Sequence, residues 1–231
     1  MVIKGVQELT LLDYPGHMAA TIFLGGCDYR CPFCHNASIV ERPKEGTYYD
    51  QEEVLSFLKT RRHILEGVCV TGGEPLLNAD VEPFIKTIKE LGYDVKLDTN
   101  GNHPDRLKKL VEEHYVDYVA VDIKNCKEKY GLTNGLPHFS LHNVEETVDF
   151  LMTNVVPFEF RTTVVQEFHT ADDFKAIGAW IKGPEHYYLQ GFVDSGDLIC
   201  EGLHAWDKDT MIKFRDVVRE FVPNTEIRGL E

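Results

Sequence analysis

Gly25-Gly26-Cys27-Asp28-Tyr29-Arg30-Cys31-Pro32-Phe33-Cys34-His35-Asn36 carries three cysteines at the spacing C-x-x-x-C-x-x-C on a loop opened by two glycines. Thiolates this close in sequence can converge on one metal centre. A cluster of four irons takes four ligands, so three cysteines leave one iron open to a substrate or cofactor. Two rival readings stand beside this one. A zinc site would use His35 as fourth ligand, but His35 directly follows Cys34, and structural zinc sites usually supply a second spaced pair. A disulfide belongs to an oxidising compartment. Immediately before the loop, Ala19–Leu24 is a continuous apolar run stopped by Gly-Gly, the pattern of a buried strand. The cysteines therefore sit where a strand ends, and the fold is read outward from that point.

Five more runs repeat the arrangement. Buried strands are expected at Gly67–Thr71, Val95–Asp98, Tyr118–Val121, Pro157–Val165 and Tyr187–Gln190, with helical periodicity between them. Asp50 and Glu53 form a capping box ahead of Val54, Phe57 and Leu58. Asn78 is expected to cap the helix carrying Phe84, Ile85 and Ile88, and Pro104 suits the first turn of the next. Asn143 and Glu146 suggest another cap, Thr170 opens a helix, and Asp207 opens the last one. A polar loop spans Lys124 to about residue 142. Strands alternating with helices require parallel pairing and right-handed crossovers. Six such units fall short of a closed eightfold barrel, so the fold class is α/β, a partial (β/α)6 TIM-like barrel. Residues 1–231 read as a single domain: 1–18 a cap or hairpin with a turn at Asp13-Tyr14-Pro15-Gly16, 19–192 the partial barrel, and 193–231 a C-terminal helix and tail.

In sheets of this kind chemistry gathers at the carboxyl ends of strands. Each unusual cluster falls there. Gly72-Gly73-Glu74-Pro75 follows the second strand; it reads either as a plain tight turn or as backbone brought close to a ligand, with Glu74 supporting from behind. Asp98 and Thr99 end the third strand and Asp122 the fourth. They are solvated carboxylates, or oxygen ligands for a small cation or a ribose. Lys124 and Arg161 suit a ligand carboxylate, or else pair with Asp122 or Glu159. Gln190 ends the sixth strand, where a polar residue is ordinary. Phe33 either packs on a bound ring or shields the metal from water. Cys69, between two valines, reads as a buried apolar side chain, and Cys126 and Cys200 are isolated.

The 231 residues carry 43% hydrophobic side chains and a net charge of −14. That charge disfavours broad binding to nucleic acid or anionic membranes, and no apolar run reaches a membrane span. The start, Met1 to Gln7, lacks the apolar stretch of a secretory signal. A cytoplasmic protein is expected, in which clustered cysteines bind metal rather than form disulfides. An electron donor to such an acidic chain would want a local basic patch, for which Arg30, Lys124, Lys127 and Lys129 are the candidates.

With Cys27, Cys31, Phe33 and Cys34 beside Gly72-Gly73-Glu74-Pro75, the chain resembles the radical S-adenosylmethionine (SAM) superfamily over about residues 5 to 195. Asp13-Tyr14-Pro15-Gly16, Cys31–Asn36, Asp98-Thr99-Asn100-Gly101 and Asp122-Ile123-Lys124 are similar to the glycyl-radical enzyme activating family, nearest to activators of anaerobic ribonucleoside-triphosphate reductase. The resemblance implies a [4Fe-4S] cluster on Cys27, Cys31 and Cys34 that binds SAM at its open iron. Reduction would cleave SAM to methionine and a 5′-deoxyadenosyl radical, which takes a hydrogen from a glycine of a partner enzyme. It implies cofactor contacts from Phe33, His35, Gly72, Gly73, Glu74, Asp98, Asp122, Lys124, Arg161 and Gln190, and a monovalent cation at Asp98, Thr99 and Asp122. Gln190 departs from the pyruvate formate-lyase activator, which has a histidine there. Implied partners are a glycyl-radical enzyme and a flavodoxin or ferredoxin. A pyruvate formate-lyase-type activase, or an enzyme acting on a small molecule such as a deazapurine precursor, is the alternative.

Overall fold

A computed structural model of the chain describes residues 1–230. They fall into two compact units. The first comprises residues 1–28, 38–120 and 155–157, and the second residues 29–37, 121–154 and 158–230.

The first unit holds β1 (Ile3–Thr10), β2 (Ala19–Leu24), most of α1 (Ala37–Glu41), α2 (Gln51–Arg61), β3 (Gly67–Gly72), α3 (Val81–Glu90), β4 (Asp94–Thr99), α4 (Pro104–Glu112) and the start of β5 (Tyr118–Asp122). Strands β1 and β2 pair antiparallel, so residues 3–10 join β2 as a strand and do not close a hairpin within residues 1–18. His17 N–H donates to the Tyr14 carbonyl at 3.1 Å within its turn. Parallel pairing then runs from β2 to β3 and from β3 to β4, aligning Thr21, Cys69 and Lys96 in one row and Ile22, Val70 and Leu97 in the next. Ile22, Val70 and Leu97 are wholly buried, as is the Val81, Phe84, Ile85, Ile88 face of α3. Burying apolar area at about 25 cal/mol per Å² is what holds such helices on the sheet. The Thr21–Cys69–Lys96 row is polar yet equally buried, which is unusual for a strand interior.

The second unit continues β5 and adds α5 (Tyr130–Thr133), α6 (His142–Leu151), β6 (Phe158–Val164), α7 (Ala171–Trp180), β7 (Tyr187–Gly191), α8 (Lys208–Arg219) and β8 (Thr225–Arg228). Strands β6, β7 and β8 pair parallel. No helix among the described residues is long and apolar enough to cross a membrane.

All six expected strands are present, as β2 to β7. Several finer expectations are corrected. Asn78 does not cap α3; its N–H closes a 3-10 turn on the Pro75 carbonyl, and Asp80 is the residue that precedes the helix. Asn143 lies inside α6, whose N-cap position is Leu141; a capping side chain needs extended backbone, which Asn143 does not have. The polar loop after Lys124 contains a 3-10 turn (Lys127–Lys129) and α5. By contrast Asp50 caps α2, and Thr170 with Asp173 forms a full capping box on α7.

Candidate cofactor site

In the first unit the end of β3 lies directly on the end of β2. Gly73 N–H donates to the Leu24 carbonyl at 2.8 Å and Glu74 N–H to the Gly26 carbonyl at 2.8 Å. A Cβ on Gly73 would stand 2.0 Å from the Gly26 oxygen, and one on Gly72, whose φ is +117°, 2.4 Å from the Leu24 backbone. Both glycines are therefore required by this close approach of two loops. Glu74 is completely buried. Its carboxylate accepts from Leu76 N–H (2.9 Å), from the Thr99 hydroxyl (3.0 Å to each oxygen) and from Asn100 N–H (2.7 Å). Burial pushes its pKa up to about 7, against the backbone bonds from Asn100 and Leu76. Glu74 thus ties the Gly-Gly-Glu-Pro turn to the Asp-Thr-Asn-Gly turn after β4.

Cys27 and Asp28 end the first unit's share of the cysteine loop. The Cys27 sulfur lies 3.8 Å from Asn100 Nδ2 and 3.9 Å from Asp28 Oδ1. Asp28 accepts from Asn100 Nδ2 (2.7 Å) and Asn102 Nδ2 (2.6 Å), and His103 Nε2 lies beside it at 3.1 Å as an ion-pair partner. Burial alone would raise its pKa, but His103 and the bonds from Asn102 and Asn100 bring it down to about 2. Asp98 pairs with Lys96 on the same strand.

In the second unit Cys34 N–H donates to the Cys31 carbonyl at 3.0 Å, so these two cysteines share one turn. Burial pushes the Cys31 thiol up to about 11 while Lys124 pulls it down, and Cys34 is raised for the same reason. Lys124 also depresses His35, after burial. Asp122 is gripped by two cations: Lys124 Nζ at 3.0 Å on one oxygen and Arg161 Nε at 3.0 Å on the other. Despite burial, these hold its carboxyl well below the ordinary carboxylate range, and Asp122 in turn holds Lys124 firmly charged. Arg161 also approaches Glu159 at 4.0 Å. Phe33 is buried, with its ring centre 5.8 Å from that of Phe168. Gln190 lies opposite Thr163 and Arg228 in β7. The segment 195–200 straps the cysteine turn: Ala37 N–H donates to Asp197 O (3.3 Å), Cys200 N–H to Pro32 O (2.9 Å) and the Ser195 hydroxyl to His35 O (3.5 Å).

The structure thus gathers Cys27, Glu74, Asp98 and Thr99 in the first unit and Cys31, Cys34, His35, Asp122, Lys124 and Arg161 in the second. The expected basic patch is not a free one. Lys124 pairs with Asp122, Lys127 with Glu145 and Lys129 with Asp173. Sequence reading missed Asp28, Asn102, His103 and the 195–200 strap. Asp28 stands inside the cysteine motif and His103 three residues after Asn100, so their position carried a signal; the strap carried none.

Residues 21–177 match the model of the radical SAM superfamily. The chain belongs to that superfamily. Radical SAM enzymes use a [4Fe-4S] cluster and SAM, and this chain is such an enzyme. A Methanocaldococcus jannaschii protein, named provisionally as a glycyl-radical enzyme activating enzyme, is 29% identical across 99% of this chain and 96% of its own. The pyruvate formate-lyase-activating enzyme of Staphylococcus aureus is 29% identical over 88% of this chain and 83% of its own. Among solved structures, Streptococcus suis SuiB bound to precursor peptide SuiA superposes with a TM-score of 0.72 at 12% identity. That match covers 91% of this chain and 48% of SuiB, so this chain spans about half of that enzyme's length. The likeness bears out the expected α/β radical SAM fold.

The residues present fit the cofactors. Cys31, buried, and Cys34, half-buried, are thiols on one turn whose protons are hard to remove without a metal in their place. Cys27 is within reach of an amide N–H, the kind of outer contact that orients and tunes a metal-bound sulfur.

Proposed function

We propose that this radical SAM enzyme is an activase: it installs a glycyl radical on a partner enzyme, with anaerobic ribonucleoside-triphosphate reductase as the foremost candidate. The observation that carries this reading is the near end-to-end match, 99% of one chain against 96% of the other, to a relative named for glycyl-radical activation. Cys27, Cys31 and Cys34 would hold the cluster. When bound and reduced, cluster and SAM together supply a carbon radical able to take hydrogen from glycine.

The chain's own residues do the rest. Glu74 keeps the Gly72-Gly73 turn and the Thr99-Asn100 turn in register, so the glycine backbone is preset for the methionyl end of SAM. Asp122, Lys124 and Arg161 form a prepaid charge group. Lys124, already ionised, offers a cation beside Cys31 and Cys34 and suits a carboxylate. Phe33 and Phe168 keep water away from the cysteine turn. A flavodoxin or ferredoxin is the proposed electron donor, and Asp98, Thr99 and Gln190 remain candidate cofactor contacts.

The Staphylococcus aureus relative favours a second partner, pyruvate formate-lyase. Anaerobic reconstitution with iron and sulfide, then incubation with SAM, dithionite and each candidate enzyme, tests both. A glycyl doublet in the electron paramagnetic resonance spectrum of the reductase is expected. A doublet only with pyruvate formate-lyase transfers the assignment to that partner. 5′-Deoxyadenosine without a doublet on any glycyl-radical enzyme rejects the activase reading in favour of a small-molecule substrate. Cys31→Ala is expected to bind no intact cluster and release no 5′-deoxyadenosine.

A further inference from the structure

The end of β4 in the first unit presents Asp98 and Thr99, and the end of β5 in the second presents Asp122; the family resemblance assigns these oxygens to a monovalent cation. Each is already engaged by the protein. Lys96, two residues before Asp98 on the same face of β4, is 1% exposed and directs its ammonium onto Asp98, itself 11% exposed. The Tyr118 ring lies 6.0 Å from that ammonium. The Thr99 hydroxyl donates to both oxygens of Glu74 and accepts from Gly101 N–H at 3.1 Å. In the other unit, one oxygen of Asp122 takes Lys124 and the other takes Arg161. The residues do not fit an added metal cation.

We propose that Lys96 supplies, from within the chain, the positive charge at Asp98 that a bound monovalent cation would otherwise provide, so that this enzyme works without one. A buried ammonium is costly unless paired, and a buried carboxylate is equally so. Lys96 and Asp98 meet that need in each other. The interior row Thr21–Cys69–Lys96 explains how the lysine gets there: the neighbours in register are a hydroxyl and a small thiol, which leave room for a long side chain rising toward the strand end. The charge is covalently held, so it cannot be washed out or exchanged. This inference rests on the superfamily's cofactors and not on which partner is activated.

The test compares sodium, potassium and choline chloride as sole salts at equal ionic strength. Two quantities are read: SAM affinity of the reconstituted enzyme, and thermal unfolding of the cluster-free protein. For the unaltered chain both should be flat, with affinity changing by no more than about twofold, since screening is held constant. Lys96→Met should weaken SAM binding by about tenfold or more in choline, as expected when one member of a buried charge pair is removed. Sodium or potassium should restore most of that loss and raise the variant's melting temperature. Lys96→Arg should stay insensitive to the salt.

The proposal is overturned if the unaltered enzyme needs sodium or potassium. It is equally overturned if Lys96→Met matches it in choline, or if no inorganic cation restores that variant. The first comparison needs no variant, so it decides even if Lys96→Met fails to fold.

Discussion

Glu74 in the first unit is wholly buried and Asp122 in the second keeps a side chain 33% exposed; both are carboxylates at strand ends, yet their acidities move in opposite directions. Glu74 meets only neutral donors, the Leu76 and Asn100 amides and the Thr99 hydroxyl, and burial wins: its pKa rises to about 7. Asp122 meets two cations, Lys124 and Arg161, and the charges win: its pKa falls below the ordinary range. Burial alone therefore does not fix the charge of a site; the partners chosen by the local sequence do. The first unit keeps a carboxylate that can take up a proton near neutrality. The second keeps a permanently ionised triad.

The largest break in this contrast should come from Lys124→Met. It leaves Asp122 with Arg161 alone and removes the cation beside Cys31 and Cys34. Taking one partner from a fully buried ion pair typically costs about 3–5 kcal/mol; with Lys124 15% and Asp122 33% exposed, water takes up part of that, so the denaturant midpoint of the cluster-free protein should drop by clearly less than the full amount. SAM affinity should fall with it. A midpoint unchanged from the unaltered chain would show that the triad is solvated and the contrast mistaken.

Glu74→Gln should have a smaller effect. The amide keeps one acceptor but turns an NH2 toward groups that donate, so at least one donor loses its partner, at about 1–3 kcal/mol. Its pH dependence sharpens the point. Glu74's folded pKa of about 7 lies above its ordinary 4.5, so the folded state binds the proton more tightly than the unfolded chain. Its contribution to stability is complete below pH 4.5 and is lost as pH rises through about 7. The unaltered protein should show that loss relative to Glu74→Gln, and the difference between the two curves should be flat above about pH 8. A difference curve of the opposite slope would mean that the neutral donors overcome burial after all.

How far these groups were legible in the sequence follows from range. The strands that carry Cys27, Glu74, Asp98, Asp122 and Arg161 are apolar runs with clear stops, and their parallel order follows from the helices between them. The pairing of Lys124 with Asp122, two residues apart on one chain, was also readable. What joins distant segments was not. Glu74 contacts Thr99 and Asn100 across 25 and 26 residues, and periodicity says nothing about which loop a buried carboxylate will meet. The Lys96–Asp98 pair lay in plain sight at strand spacing, but a lysine in an apolar strand reads as an exception to the pattern and not as a partner. β8 escaped because Thr225–Arg228 is too short to show a period. The helix N-caps at Asn78 and Asn143 failed because an Asx residue near a helix start satisfies the pattern whether or not its backbone is extended there.

His169 provides the mildest test, because its ring nitrogens bond to backbone groups while the ring packs with Phe33 and Phe174. It is wholly buried; Val165 N–H donates to Nδ1 at 3.1 Å, and Nε2–H donates to the Lys124 carbonyl at 2.9 Å. Nδ1 also lies 3.3 Å from the Val165 carbonyl, but the shorter bond from Val165 N–H and the Nε2 bond to Lys124 favour the neutral ring with its proton on Nε2. Burial lowers its pKa from 6.5, more strongly than the carbonyls of Lys124 and Val165 raise it. The unfolded chain therefore takes up a proton first on acidification. Stability from His169 is present above pH 6.5 and declines as pH falls below it. His103, whose pKa Asp28 raises, contributes with the opposite sign in the same region, so the total curve cannot isolate either ring. The difference between the unaltered protein and His169→Gln can. It should be constant above about pH 7.5 and shrink toward pH 5, at no more than roughly 1.4 kcal/mol per pH unit, the limit for a single proton. A difference that grows on acidification would mean that this ring is charged in the folded state, and that carbonyls, like the cations around Asp122, can outweigh burial.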